Sequence, residues 1–162
     1  MTNMKTTFKL LFMLSFVTTL KSQTLISFNK GDLIGFKDSA SKAVKILPQY
    51  ESKLSYGPTY PKYEFKNGYC VCRKFVKTNG KPEGSLYGII DKKNTTVIPF
   101  KFEEIRETED PNKYLVYAGG YSLQLKRNMN LDEFNKYCGL KFEKLKWVYI
   151  DIKGNVFGYK DE

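Results

Sequence analysis

The chain carries 162 residues, 27 of them Lys or Arg against 17 Asp or Glu, for a formal charge of +10, and it has no histidine. The missing histidine excludes histidine-based nucleophilic triads, histidine general bases and the usual catalytic zinc sites. The length suits one domain with a core of its own, and the basic charge points toward acidic partners without bearing on fold.

Residues 1–22 read as a secretory signal peptide. Lys5 and Lys9 precede an uncharged run from Leu10 to Leu20, too short for a permanent anchor, and Ser22 before Gln23 supplies a small residue at a cleavage point. Leu20, three positions before the cut, departs from the small-residue preference, and no cysteine lies nearby to take a lipid. The alternative, an N-terminal core helix, is disfavoured by the flanking lysines and by the lack of any acid before Asp32. Cleavage leaves 23–162 as a single β-hairpin repeat domain, removes Lys5, Lys9 and Lys21, and lowers the charge to +7. Nothing later in the chain resembles a membrane span, and the expected location is periplasmic or secreted.

The mature part opens with Gly35–Asp38, a loop over 39–42, and a second strand over 43–48. Ser52 to Tyr63, with Gly57, Pro58 and Pro61, reads as a loop lying against the core. Tyr69 to Val76 reads as a strand, so Cys70 and Cys72 point to one face and are badly placed to bond each other. Either one of them bridges Cys138 or all three are small buried hydrophobes; a zinc site lacks a fourth ligand. Asn79 to Gly84 reads as a turn-rich excursion.

Tyr87–Asp91, the polar turn 92–94 and Thr95–Pro99 form the clearest hairpin. Glu103 to Pro111 reads as a strand end followed by a loop, and Gly119 with Gly120 as a two-residue hairpin turn between 113–118 and 121–126. One short helix is expected near 130–138, with Asn130 and Glu133 as a capping box, Leu131, Phe134 and Cys138 on one face, and Gly139 at the C′ position. Trp147–Asp151, the turn 152–155, and Val156–Phe157 make the last hairpin.

Spacing ties the hairpins together. Gly35 and Gly88 are 53 apart, Ile46 and Ile98 are 52 apart, and Trp147 stands 60 beyond Tyr87, so the first two differ by one residue in the turn. Repeats of this length imply stacked units burying a shared core. The fold class is therefore mainly β: repeated antiparallel hairpins forming one twisted meander or barrel-like domain, with one short helix.

Tyr87, Gly88, Ile89, Ile90, Asp91, Lys92, Lys93 and Asn94, with Val97, Ile98, Pro99, Lys101, Phe102 and Glu103, resemble a unit of the WG-containing repeat family. The lead-in of Phe65, Asn67, Gly68, Tyr69 and Val71 is similar too, so the match is best over 65–105. Ile34 replaces the aromatic in the first unit, and Val148 the glycine in the third. The resemblance implies a bacterial envelope or secreted repeat domain that binds or scaffolds, and it carries no catalytic residues over.

Physically, the aromatic supplies a face for the neighbouring hairpin, Gly88 allows close backbone approach or a positive φ at a bulge, and Asp91 and Asp151 cap their turns. There is no G-x-S-x-G elbow, P-loop or dinucleotide fingerprint. Glu64, Glu103, Glu104 and Asp110 offer carboxylates for glycoside hydrolysis, but their spacing selects no pair. No catalytic, cofactor or metal residue is assigned. The expectation is a non-catalytic exported binding or scaffolding module with a protein partner first and a glycan second. Nucleic acid is disfavoured because the lysines, such as Lys62, Lys74, Lys81, Lys92, Lys101, Lys113 and Lys126, form no block. The alternatives are an inhibitory or immunity-type partner of a secreted protein and, behind it, a carboxylate-based hydrolase.

Overall fold

The structure, a computed structural model, describes residues 24–52, 61–78, 80–122 and 127–160. The expected leader at 1–22 and most of the loop at 53–60 lie outside them. β1 (Leu25–Lys30), β2 (Leu33–Asp38) and β3 (Val44–Glu51) form a first sheet in that order, and β4 (Tyr69–Thr78), β5 (Lys81–Asp91) and β6 (Thr96–Phe102) form a middle sheet in the same way. The third sheet takes β7 (Ile105–Glu107), β8 (Tyr114–Tyr117), β11 (Trp147–Ile150) and β12 (Val156–Tyr159) in the order β12-β11-β8-β7. Between β8 and β11 run the small pair β9 (Tyr121–Ser122) and β10 (Arg127–Asn128) and the helix α1 (Leu131–Cys138). Every ladder is antiparallel. The arrangement is an open meander of hairpins and not a closed barrel. Among the described residues no helix is long and apolar enough to cross a membrane.

One aspartate closes the turn of each unit. Asp91 Oδ1 accepts from the amides of Lys93 (2.9 Å) and Thr95 (2.8 Å), and Asp151 Oδ1 from those of Lys153 (2.7 Å) and Asn155 (2.9 Å). Asp38 does the same toward Ala40 and Ser41. Backbone bonds join Asp91 N to Thr95 O and Asp151 N to Asn155 O, whereas Asp38 N reaches Ala43 O across one more residue. That extra residue is the 53-against-52 offset. The position two residues before the returning strand takes a positive φ in all three, at Lys42, Asn94 and Gly154.

The ladders also align the units. Ile34 pairs Tyr50 and Phe36 pairs Ile46, as Tyr87 pairs Phe102 and Ile89 pairs Ile98, so in both units four positions of the returning strand span two of the central one. Gly35 and Gly88 sit opposite the surplus residues. A Cβ on Gly88 would lie 2.8 Å from Phe100 Cγ and 2.9 Å from Ile98 O, and one on Gly35 would lie 2.7 Å from Ile46 O. Close approach is therefore what the glycine permits; neither residue has a positive φ. In the third unit Val148 pairs Tyr159 and Tyr149 pairs Gly158 without that surplus, so the side chain of Val148 has room.

The middle sheet is buried on both faces. Cys70, Cys72, Ile90 and Phe100 pack with Ile34, Phe36, Ile46 and Tyr50 of the first sheet. Val71, Tyr87, Ile89, Ile98 and Phe102 pack with Tyr114, Val116, Val148 and Ile150 of the third, and α1 closes this second core with Phe134 and Cys138. The helix forms as its ends dictate. Asn130 and Glu133 bond each other's amides at 2.9 and 3.0 Å, and Gly139 takes the left-handed conformation at φ 74.

Three expectations are corrected. Gly119 and Gly120 make no hairpin: Ala118 N donates to Lys146 O, β8 pairs with β11, and β9 pairs with β10. The stretch 79–84 is a strand from Lys81 onward, pairing as far as Thr78↔Lys81. The region 103–111 contains a strand, β7, that pairs with β8.

Candidate functional site

The residues with reactive side chains are dispersed. Cys70 Sγ and Cys72 Sγ lie 3.8 Å apart as free, buried thiols, and burial pushes the Cys72 thiol well above its ordinary value, helped by its bond to Cys70. Cys138 belongs to the other core, beyond the middle sheet, so of the two alternatives the fold rules out a bridge from the first pair to Cys138 and leaves three buried free thiols. Among the described residues no group of three or more His, Cys, Asp or Glu is placed to hold a metal ion.

Glu104 Oε1 accepts from Arg106 Nε at 2.6 Å, Asp110 holds the Asn112 amide and the Lys113 ammonium, and Glu64 and Glu103 are exposed. Asp110 lies below the usual carboxylate range because of the Asn112 amide and the Lys113 bond. A cleft of about 370 Å³ opens beside β7, with Val71, Tyr87 and Ile105 as its apolar floor and Lys62, Lys66 and Glu107 at its rim. It contains none of the four candidate carboxylates. Lys66 and Glu107 bond each other across it, and that bond holds the ammonium above its ordinary value.

The seam between the first and middle sheets is tied by polar contacts. Tyr50 OH donates to Asn94 Oδ1, Tyr63 OH to the Glu51 carbonyl, and Ser85 Oγ to Glu51 Oε1 at 2.8 Å. Arg73 Nε faces Glu51 Oε2 at 3.8 Å and its guanidinium lies over Tyr87. Burial drives both tyrosine hydroxyls well above their ordinary range, so they remain donors at any physiological pH.

The two ends of the stack differ more than any cleft does. Residues paired across a ladder share a face. In the first sheet Ile34 and Phe36 point inward, so the outer face carries Ile26, Phe28, Lys30, Leu33, Lys37 and Val44, with Leu47 beside them on β3. Leu47 is 73% exposed, Val44 50%, Leu33 39% and Ile26 37%. The Phe28 ring lies over Gly35, and Lys37 Nζ stands 5.6 Å from that ring. In the ladder alignment Ile26, Phe28 and Lys37 occupy the places of Cys70, Cys72 and Ile90, whose face the first sheet covers.

At the other end the outer face of the third sheet is partly covered by its own side chains, with Phe157 on β12 left 59% exposed. Arg106 lies 4.3 Å over the Trp147 ring, Tyr117 packs against Trp147 at 5.5 Å, and Arg106 and Tyr149 flank Leu115, which is 7% exposed. The sequence reading did not single out the first sheet's outer face. Its signal was present in the apolar Ile26, Phe28, Leu33, Val44 and Leu47, but they could be assigned a side only once register was known. No family model, curated protein or solved structure matches the chain.

Proposed function

We propose that this chain is a non-catalytic, exported binding or scaffolding module of the bacterial envelope or secreted space, related to the WG-containing repeats, and that the outer face of its first sheet is the working surface. The observation that carries this reading is the uncovered apolar face of β1–β3 at the positions that the middle sheet buries against a neighbour. Repeat stacks end in a polar outer face when the end meets only solvent. The third sheet shields part of its outer face, with Arg106 over Trp147 and Leu115 covered while Phe157 on β12 stays exposed, whereas the first leaves Ile26, Leu33, Val44 and Leu47 open. An exposed apolar patch of this kind marks an interaction site. The export part of the reading rests on the leader-like residues 1–22.

The test is a Val44→Asp, Leu47→Asp variant expressed with its own leader. Both side chains are exposed, so the melting midpoint is expected to stay within a degree or two of the parent, since surface changes cost about 0.5 kcal/mol or less. On native gels of cell envelope and medium, the parent is expected in a larger assembly and the variant as the bare chain. Parent and variant migrating alike would overturn the reading.

A further inference from the structure

We infer that the first sheet's outer face receives the apolar face of a β-sheet in another protein, one that carries carboxylates around its contact. This deepens the binding role proposed above and rests on it.

Two observations select the occupant. The first is continuity. Inside this chain the face that bears Cys70, Cys72 and Ile90 is covered by a β-sheet, and the third sheet turns the equivalent Val148 and Ile150 face onto the middle sheet. The outer face of β1–β3 is the same face one unit earlier, with the same ladder geometry, so a sheet fits it. The second is charge. Lys30 and Lys37 stand on this face and Lys45 is exposed beside it on β3. The carboxylates of these strands are engaged elsewhere: Asp38 caps its turn, and Glu51, although paired with Leu33, reaches Ser85 and Arg73. Asp32, in the β1–β2 turn, is the acid at the margin. Lys37 occupies the place of the buried Ile90, so whatever covers the face must meet an ammonium near its centre. A carboxylate does so at lowest cost.

The other self-consistent occupant is the third sheet of a second copy, because both ends stack in the same sense. Charge disfavours it. That face presents the exposed Lys160, an Arg106 held by Glu104 and an already covered Leu115, on a chain whose formal charge is +7 once residues 1–22 are removed.

The experiment places the photoreactive p-benzoylphenylalanine at position 47 in the chain expressed with its own leader, with position 157 on β12 as control, both sites being exposed. After irradiation of intact cells, adducts are mapped by mass spectrometry. Expected is an adduct from position 47, and not from 157, to a strand of another protein flanked by Asp or Glu. Lys30→Glu with Lys37→Glu is expected to cut its yield about tenfold or more with the melting midpoint held. An adduct with another protein that survives both charge reversals would overturn the acidic partner and leave the docking face standing. An adduct to a second copy would replace the partner by self-assembly. No adduct from position 47 would remove the docking face itself.

Discussion

Tyr87 and Gly88 open the middle unit, and the structure gives them separate work. Tyr87 is buried against the third sheet with Arg73 over its ring, so Tyr87→Ala leaves a cavity at a cost of about 3–5 kcal/mol, and the urea midpoint is expected to fall sharply. An unchanged midpoint would show the ring to be a surface platform. Gly88→Val drives a branched side chain against Phe100 and the Ile98 carbonyl, and a cost of about 1–3 kcal/mol or more is expected. The reverse change, Val148→Gly, removes a buried side chain from a place with no surplus residue opposite it, so it too is expected to destabilise, through lost packing and strand entropy. The single letter that separates the third unit from the others thus reports a difference in ladder register that could not be read until both strands were placed.

At the scale of the element, what was legible in the sequence is what is decided within a few residues. The α1 cap was readable because Asn130, Glu133 and Gly139 act locally, and Asn130→Ala is expected to cost about 1 kcal/mol, seen as a lower melting midpoint. The aspartate turns were readable for the same reason. Burial alone would raise the Asp151 carboxyl, but the bonds from Asn155 and the Asn155 and Lys153 amides outweigh it and hold the group below its ordinary value. The folded chain therefore binds this proton less tightly than the unfolded chain. The resulting stabilisation is complete above the unfolded value of about 3.9 and is lost as pH falls through the depressed folded value. Asp151→Asn is expected to flatten the acid side of a plot of melting midpoint against pH. An acid limb identical to the parent's would show the turn to be indifferent to that charge. The pairing of β8 with β11 was not legible. Gly119 and Gly120 look like a hairpin locally, and the competitor that wins, Trp147–Ile150, lies beyond residues 118–146.

Across the whole molecule, three sheets stack in one direction, each turning the same face toward its predecessor. The middle sheet separates Cys70 and Cys72 from Cys138, so a thiol reagent is expected to react with none of them while the chain is folded and with all three in denaturant. A non-reducing peptide map with Cys138 linked to either of the others would contradict this layering. The repeat spacing pointed to stacking, but it did not say that one end would be partly covered by Arg106 over Trp147 and the other left apolar, because that depends on which side of each strand faces out. Among the described strands β5 occupies a singular place. It is hydrogen-bonded along both edges and covered on both faces, while β2, β8 and β11 each have one face turned outward. No local opening can bring water to the amides of Leu86–Ile90 without parting two cores at once, so their protons should exchange for deuterium last, at a rate set by global unfolding. Those of β1 and β12, at the rims of the outer sheets, should exchange first. The order of isotope uptake along the chain would then trace the stack from its ends to its middle.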